Sequence, residues 1–293
     1  MLSLKAQIPP ASHPSPAGYA QASALTDEHR AEALDFLAAR PVHTVFMAGL
    51  IRDNGLVSPL NRGSFYGYRD EAGQLAGVAL IGHITAIETT SDTALEAFAH
   101  LAQEYGRAHA ILGESEMVRQ FWNYYAQAGQ PLRLVCREML FEQSWPVEMR
   151  EPVNLRRATL DDLEQVMPVH AQMAFEESGV NPLERDPEGF RSRTARRIEQ
   201  GRVWVLMIEG CLVFKADVIS ETPGATYIEG VYVSPQERGK GHGLRCMSQL
   251  SRTLLQGTRA VCLLVNERNR DAHDLYRKAG YKMRGHYDTI FLS

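Results

Sequence analysis

Apolar positions recur along the chain with two periods, about 3.6 where helices are predicted and 2 where strands are. After the capping residue Thr26, the run DEHRAEALDFLAAR places Leu34, Leu37 and Ala38 at helical spacing, and Pro41 ends it. SFYGYRD and QLAGVALIGH, parted by the turn Glu71-Ala72-Gly73, predict paired strands, and ITAIETT a third. SDTALEAFAHLAQEYGR opens on a Ser/Asp cap and predicts a helix; HAILGE, SEMVRQFWNYYAQAG and PLRLVCREMLFEQ then read strand, helix, strand. Further on, TLDDLEQVMPVHAQMAFEES and PEGFRSRTARRIEQG, the latter closed by Gly201, predict two helices with a loop between them. Strands follow at RVWVLMIEG, CLVFKADVIS and TYIEGVYVS, with tight turns at Glu209-Gly210 and Thr222-Pro223-Gly224. The helical pattern LRCMSQLSRTLLQG then leads into AVCLLVN, RNRDAHDLYRKAG and YKMRGHYDTIFL, again strand, helix, strand.

That ending repeats the middle of the chain. Tyr125-Ala-Gln-Ala-Gly129 and Tyr276-Arg-Lys-Ala-Gly280 agree at three of five positions, and Tyr276 lies 151 residues after Tyr125. The order of elements superposes as well, and WPVEMREP, residues 145–152, breaks the periodicity between the two runs. The expectation is a mixed α+β fold in two similar halves, 23–148 and 153–293, each a mostly antiparallel twisted sheet flanked by helices. The Pro/Ser/Ala run from Ile8 to Gly18 predicts a flexible or extended arm over residues 1–22.

Composition narrows the function. At 293 residues with 44% hydrophobic and 23% charged positions, the chain is long enough for two cores and is neither disordered nor fibrous. Lys and Arg number 31 against 35 Asp and Glu, a net charge of −4, so there is no basic excess for a nucleic acid. No run of about 18 apolar residues predicts a membrane span, and no signal-peptide order opens the chain. Cys136, Cys211, Cys246 and Cys262 stand far apart, and the ten histidines lack metal-ligand spacing. The expectation is a cytoplasmic protein with reduced thiols and no bound metal.

Chemistry concentrates in Val231 to Leu244, VYVSPQERGKGHGL, where a strand passes through a glycine-rich turn into a helix N-terminus. Amides of a first helical turn lack intrahelical partners and carry the positive dipole end, and glycine lets an anion reach the backbone. A dinucleotide fingerprint would need glycine where Leu244 or Cys246 stands, and a phosphate loop of the G-x-x-x-x-G-K type would need it at Ser234.

What stands there is R-x-x-G-x-G, with Arg238, Gly241 and Gly243, following the strand end Val231-Tyr232-Val233. With Asn269, Ala272, Leu275-Tyr276, Lys278 and Gly280-Tyr281 downstream, residues 153–293 resemble the GNAT superfamily of N-acetyltransferases. The resemblance implies that the amides of Gly239, Lys240, Gly241, His242 and Gly243, with Arg238 and Leu244, hold the pyrophosphate of coenzyme A. It also implies that backbone groups of Val231, Tyr232 and Val233 pair with the pantetheine arm as an added strand, with Asn269 near the pantetheine or phosphates unless it caps a helix. The implied reaction is direct transfer from acetyl-CoA to an amine of a small molecule or protein. An amine of pKa about 10.4 must lose a proton first, and the leaving thiolate must gain one. Glu229, placed by a period of 2 on the face of Val231, is the candidate base; Tyr276 is the candidate acid.

Other features carry less. Cys246 reads as a buried, inert thiol rather than an acyl carrier. His242 reads as a solvent-facing spacer, and the Arg191, Arg193, Arg196, Arg197 cluster as a solvated face with an anionic acceptor or the coenzyme phosphate as its functional alternative. Residues 176–187, EESGVNPLERDP, match the position of the loop that often lines the acceptor site in such enzymes. Shifting the glycine loop by 151 residues lands on IETTSD, Ile87 to Asp92, which has no glycine. The first half is therefore expected to be a degenerate GNAT-like fold without coenzyme, as in bacterial two-domain GNAT proteins, which RPVHTVFMAGLIRDNGL and FYGYRD also resemble. Shaping the acceptor cleft, forming a homodimer and binding a regulator are all open to it. A rival reading, a non-catalytic acyl-CoA-binding sensor or interaction module, is opposed by Glu229 and Tyr276.

Overall fold

The computed structural model describes residues 22–148 and 152–293. The expected arm at residues 1–22 lies almost wholly outside the described residues, as do 149–151 of the predicted boundary. In the first half, β1 (Ala22–Ala24) precedes a 3-10 turn at Asp27–His29, where Thr26 and His29 form a capping box. Helices α1 (Arg30–Ala38) and α2 (Pro41–Asn54) follow. Pro41 both stops α1 and begins α2, because its missing N–H costs nothing at a first helical position. The periodicity shows only the stop. Strands β2 (Gly63–Arg69), β3 (Leu75–Gly82) and β4 (Ile84–Thr89) lead to α3 (Asp92–Tyr105), capped by Ser91. Then come β5 (Ala110–Glu114), α4 (Ser115–Tyr125) and β6 (Leu132–Gln143).

The second half repeats this order: β7 (Leu155–Arg157), α5 (Leu163–Ser178), a one-turn α6 (Pro182–Arg185) inside the predicted loop, and α7 (Pro187–Glu199). Strands β8 (Val203–Ile208), β9 (Cys211–Glu221) and β10 (Thr226–Val233) precede α8 (His242–Leu254), β11 (Val261–Asn266), α9 (Arg270–Lys278) and β12 (Lys282–Leu292). Among the described residues no helix is long and apolar enough to cross a membrane.

All these strands join one sheet in the order β1-β2-β3-β4-β5-β12-β6-β11-β10-β9-β8-β7. Only β4–β5 and β10–β11 pair parallel; every other neighbouring pair is antiparallel. The halves are thus not two separate sheets, because they exchange their last strands. β6 pairs with β11 of the second half, and β12 pairs with β5 of the first. Between them β6 and β12 run antiparallel, and at the centre Arg137 faces Asp288, its own counterpart at the 151-residue offset.

The exchange carries core residues across. Phe141 of β6, fully buried, packs in the second half's core with Ile228, Met247 and Leu263, and its ring lies 6.1 Å from that of Tyr276. Helix α2 works in both directions: Met47, Ala48 and Ile51 pack in the first half's core, while Val45 meets Tyr227 and Tyr287. Cutting Phe141 to Ala removes a buried ring from a close-packed site, so the second half's core should lose about 3–5 kcal/mol of stability. Urea unfolding of Phe141→Ala, followed by fluorescence and circular dichroism, checks this; a change under about 1 kcal/mol, typical of a surface site, would show that β6 does not belong to that core.

Candidate active site

The ladder of β10 is interrupted at Gly230. Its partners run Glu229 with Asp217 and then Tyr232 with Lys215, so Gly230 and Val231 together face one residue of β9. Gly230 has φ of 60°, the left-handed backbone that glycine adopts most cheaply in a bulge. From β9, the buried Lys215 Nζ donates to the Gly230 carbonyl at 2.9 Å and to Asp217 Oδ2 at 2.8 Å. Asp217 also meets His170 Nε2 at 2.9 Å and Arg197 at 3.8 Å. Burial opposes its charge, but Lys215, His170 and Arg197 outweigh it and hold the carboxyl well below the usual range.

The bulge breaks the strand's alternation, so the expectation that Glu229 and Val231 share a face does not hold. Val231 and Val233 pack with Ile228 and Leu244 in the core under α8. Glu229 instead accepts a hydrogen bond from Tyr227 Oη at 2.6 Å, and Tyr227 packs against Val45 of α2 on the opposite face. The parallel ladder to β11 also ends just before the bulge, at Ile228 opposite Leu263. Beyond it residues 229–233 have no ladder partner on that side, and a gap opens between two strands in mid-sheet.

On the α8 face the gap meets a groove of about 550 Å³ lined by Val231, Val233, Gly239, Gly241, Asn269 and Tyr276. The first hydrogen bond of the α8 turn runs from Arg245 N to the Gly241 carbonyl at 3.2 Å. Among the described residues the amides of 239–244 therefore donate to no backbone carbonyl. Gly239 and Gly241 have φ of 78° and 79°, and a Cβ built on either meets no atom within 4 Å. Left-handed backbone, open space and unspent amides make an anion cradle at a dipole's positive end. Arg238 Nε donates to the Val233 carbonyl at 3.2 Å, tying the loop to the strand end. A diphosphate fits these residues.

Tyr276 is buried between Phe141 and Tyr281, and burial pushes its phenol up, so it stays protonated. Asn269 caps α9, accepting from Ala272 N at 3.1 Å, while also bordering the groove. His242 is not a solvent-facing spacer: its side chain is 14% exposed and lies 3.4 Å from Glu237, which also pairs with Lys240 at 2.8 Å. Cys246 is fully buried and its thiol is pushed up to about 12 by burial, so it stays neutral and unreactive.

Sequence reasoning missed two glutamates beside Glu229. The Glu229 residue is open to solvent on one side, yet the dense protein around it raises its carboxyl, with Tyr227 and Arg197 pulling the other way. Glu177, at the end of α5, is pushed up to about 8 by burial and then by Glu229 and Glu138. Glu138, from β6, is pushed up to about 7, by burial first, while a hydrogen bond from Thr289 opposes the shift. No local motif links three carboxylates drawn from β6, α5 and β10; only the strand exchange brings the first of them here.

The first half has no such cradle, for a reason the 151-residue offset hid. Thr85 faces Ile111 where Tyr227 faces Cys262, which matches Ile87 to Glu229. IETTSD is thus strand and helix cap, and only Thr90 and Ser91 stand where the second half has residues 234–241. The loop is missing rather than replaced. Glu88 is buried and paired with Arg40 at 2.9 Å, and Arg40 also grips Glu114.

Residues 199–283 match the family model of the acetyltransferase (GNAT) domain. No curated protein matches the chain. Among solved structures, one similar fold is a GNAT-family acetyltransferase from Colwellia psychrerythraea, 11% identical over 93% of this chain and 100% of that one, with a TM-score of 0.53. Another is a tandem GNAT protein from the clavulanic acid biosynthesis pathway, 12% identical over 92% and 97%, with a TM-score of 0.58. A third is a GCN5-related N-acetyltransferase from Sphaerobacter thermophilus, 16% identical over 92% and 94%, with a TM-score of 0.56. At these identities the likeness is one of fold, and it spans both halves.

A side chain at position 241 would strain the left-handed backbone by about 1–2 kcal/mol and stand in the cradle. Gly241→Val should therefore abolish pyrophosphate binding seen by titration calorimetry in the native protein, with the melting temperature lowered by only a few degrees, about 2–4 °C per kcal/mol of strain. Equal affinity in the variant would place the anion elsewhere.

Proposed function

We propose that this chain, a GNAT-superfamily protein through the domain at residues 199–283, is an acetyl-CoA-dependent N-acetyltransferase acting directly on a primary amine, through its second half alone. The observation that supports this most is the uncommitted amide cradle at 239–244, opening into a groove that ends at the β10–β11 gap. When bound, acetyl-CoA supplies the thioester carbonyl that the amine attacks. The 239–244 amides hold the diphosphate, and the unpaired backbone of Val231 and Val233 receives the pantetheine arm as an added strand. Glu229, on the far face, takes the proton that the amine nitrogen sheds as its bond to carbon forms. Tyr276, on the groove face, gives its phenolic proton to the departing sulfur. Burial raises the phenol, and the same dry surroundings disfavour a thiolate, so the transfer stays matched.

Glu138 and Glu177, pushed up to about 7 and about 8 by burial and then by neighbouring carboxylates, hold much of their population protonated near neutral pH and line the approach to Glu229 as polar groups able to hydrogen-bond an amine. The free thiols of Cys136, Cys211, Cys246 and Cys262 suit a reducing compartment such as the cytoplasm.

Coenzyme A release with an amine that the protein accepts tests the roles. Tyr276→Phe should lower kcat on the order of 10²-fold with acetyl-CoA affinity kept, and Glu229→Gln should do the same. Because the base must be ionised and its carboxyl is raised, native kcat/KM should climb with pH through a limb above the ordinary glutamate range. Glu229→Gln should lack that limb. An unchanged rate in either variant removes that residue's role, and absence of acetyl-CoA binding sinks the reading as a whole.

A further inference from the structure

On the face of the sheet that holds Glu229, α2 of the first half and α7 of the second border a cleft of about 390 Å³. Five arginines line it: Arg62 from the turn before β2, Arg193, Arg196 and Arg197 from α7, and Arg202 from the start of β8. Among the described residues lining it there is one carboxylate, Asp53, and Arg202 already holds it at 2.7 Å. Arg193 reaches Asp186 at 2.9 Å, between two half-exposed side chains, and Arg197 comes no nearer than 3.8 Å to Asp217. Among the described residues the side chains of Arg62 and Arg196 make no hydrogen bond or ion pair within 4 Å, and Asp186 acts on Arg62 only from farther off. In a chain of net charge −4 this concentration of positive charge is local, not a general property of the surface.

The cleft's own groups register the field. Burial, and then Arg193 and Arg185, lower the Arg62 guanidinium. His83 is pushed down to about 4, by burial first and then by Arg62, so it remains neutral and adds no charge at pH 7. Arginines from two halves that repel one another across a cleft raise the folded state's energy unless an anion joins them. A carboxylate is satisfied by one bidentate guanidinium. Four guanidiniums with weak or no partners match the dianionic, three-oxygen face of a phosphate monoester better.

The cleft also communicates with the reaction centre. Arg197 lies beside Asp217, Asp217 holds Lys215, and Lys215 grips the Gly230 carbonyl next to Glu229. We propose that this arginine cleft binds the phosphate group of the acetyl acceptor, so that the acceptor is a small phosphorylated amine whose amino group reaches Glu229. The acceptor class rests on the transferase reading above; the phosphate site does not.

Calorimetry separates the two. In Gly241→Val, where the glycine loop no longer competes, inorganic phosphate should bind at about millimolar Kd, the level of one small-ligand contact set. Binding should disappear when Arg62→Glu and Arg196→Glu are added, while those two changes in the native background leave acetyl-CoA affinity as it was. In matched pairs, phosphoethanolamine against ethanolamine and glucosamine 6-phosphate against glucosamine, the phosphorylated member should bind at least about tenfold tighter, and Arg62→Glu/Arg196→Glu should erase the difference. No phosphate binding, or binding that survives the charge reversals, overturns the site. Phosphate binding with equal affinity within both pairs, or equal gain from a carboxylate in glycine against methylamine, overturns the acceptor class. Loss of acetyl-CoA binding in the native protein would sink the transferase reading and leave the phosphate result standing.

Discussion

The pairing of β6 with β12 fixes the middle of the sheet, and with it the contacts that the first half makes to the candidate site. Had each half kept its last strand, β6 would lie beside β5, and Phe141 and Glu138 would belong to the first half's surroundings. Exchange puts Phe141 against Tyr276 and Glu138 beside Glu229. The first half, which lacks the glycine loop, therefore remains a component of the proposed reaction centre through a strand it lends. The first half contributes β6 and part of α2 to the second half's packing, and so is not an independent duplicate.

Much of this was legible along the chain. Periodicity located the main strands and most helices, and the glycine run marked the cradle, because both signals are local. Pairing is not local: nothing in PLRLVCREMLFEQ says whether its neighbour will be AILGE or VCLLVN, since both are short apolar strands. The bulge at Gly230 also escaped a period-2 reading, for one extra residue reverses every later side chain, and Glu229 moved to the other face. Helix α2 was hidden by Pro41, whose power to stop a helix is plain in any context and whose power to start one depends on the residues after it. The arginines of α7 looked like a solvated face because Arg62, which meets them, lies far away in sequence.

Electrostatics divides one face of the sheet into two districts. Three glutamates gather near the strand gap and five arginines in the neighbouring cleft, with the Lys215–Asp217–His170 group buried between. Whole-chain charge, nearly balanced, conceals both. Carboxyls raised by burial stand a short distance from guanidiniums that stay charged, so this face has a polarity that the total charge does not show.

Vectorial synthesis meets this topology awkwardly. Domains generally condense as they leave the ribosome, yet β5 emerges early, whereas its neighbour β12 is made after every other strand of the sheet. Until then the first half carries an open mid-sheet edge at β5, apolar and parallel-paired on its other side. That edge of β5 gains its native neighbour only when β12, the last strand in chain order, is in place.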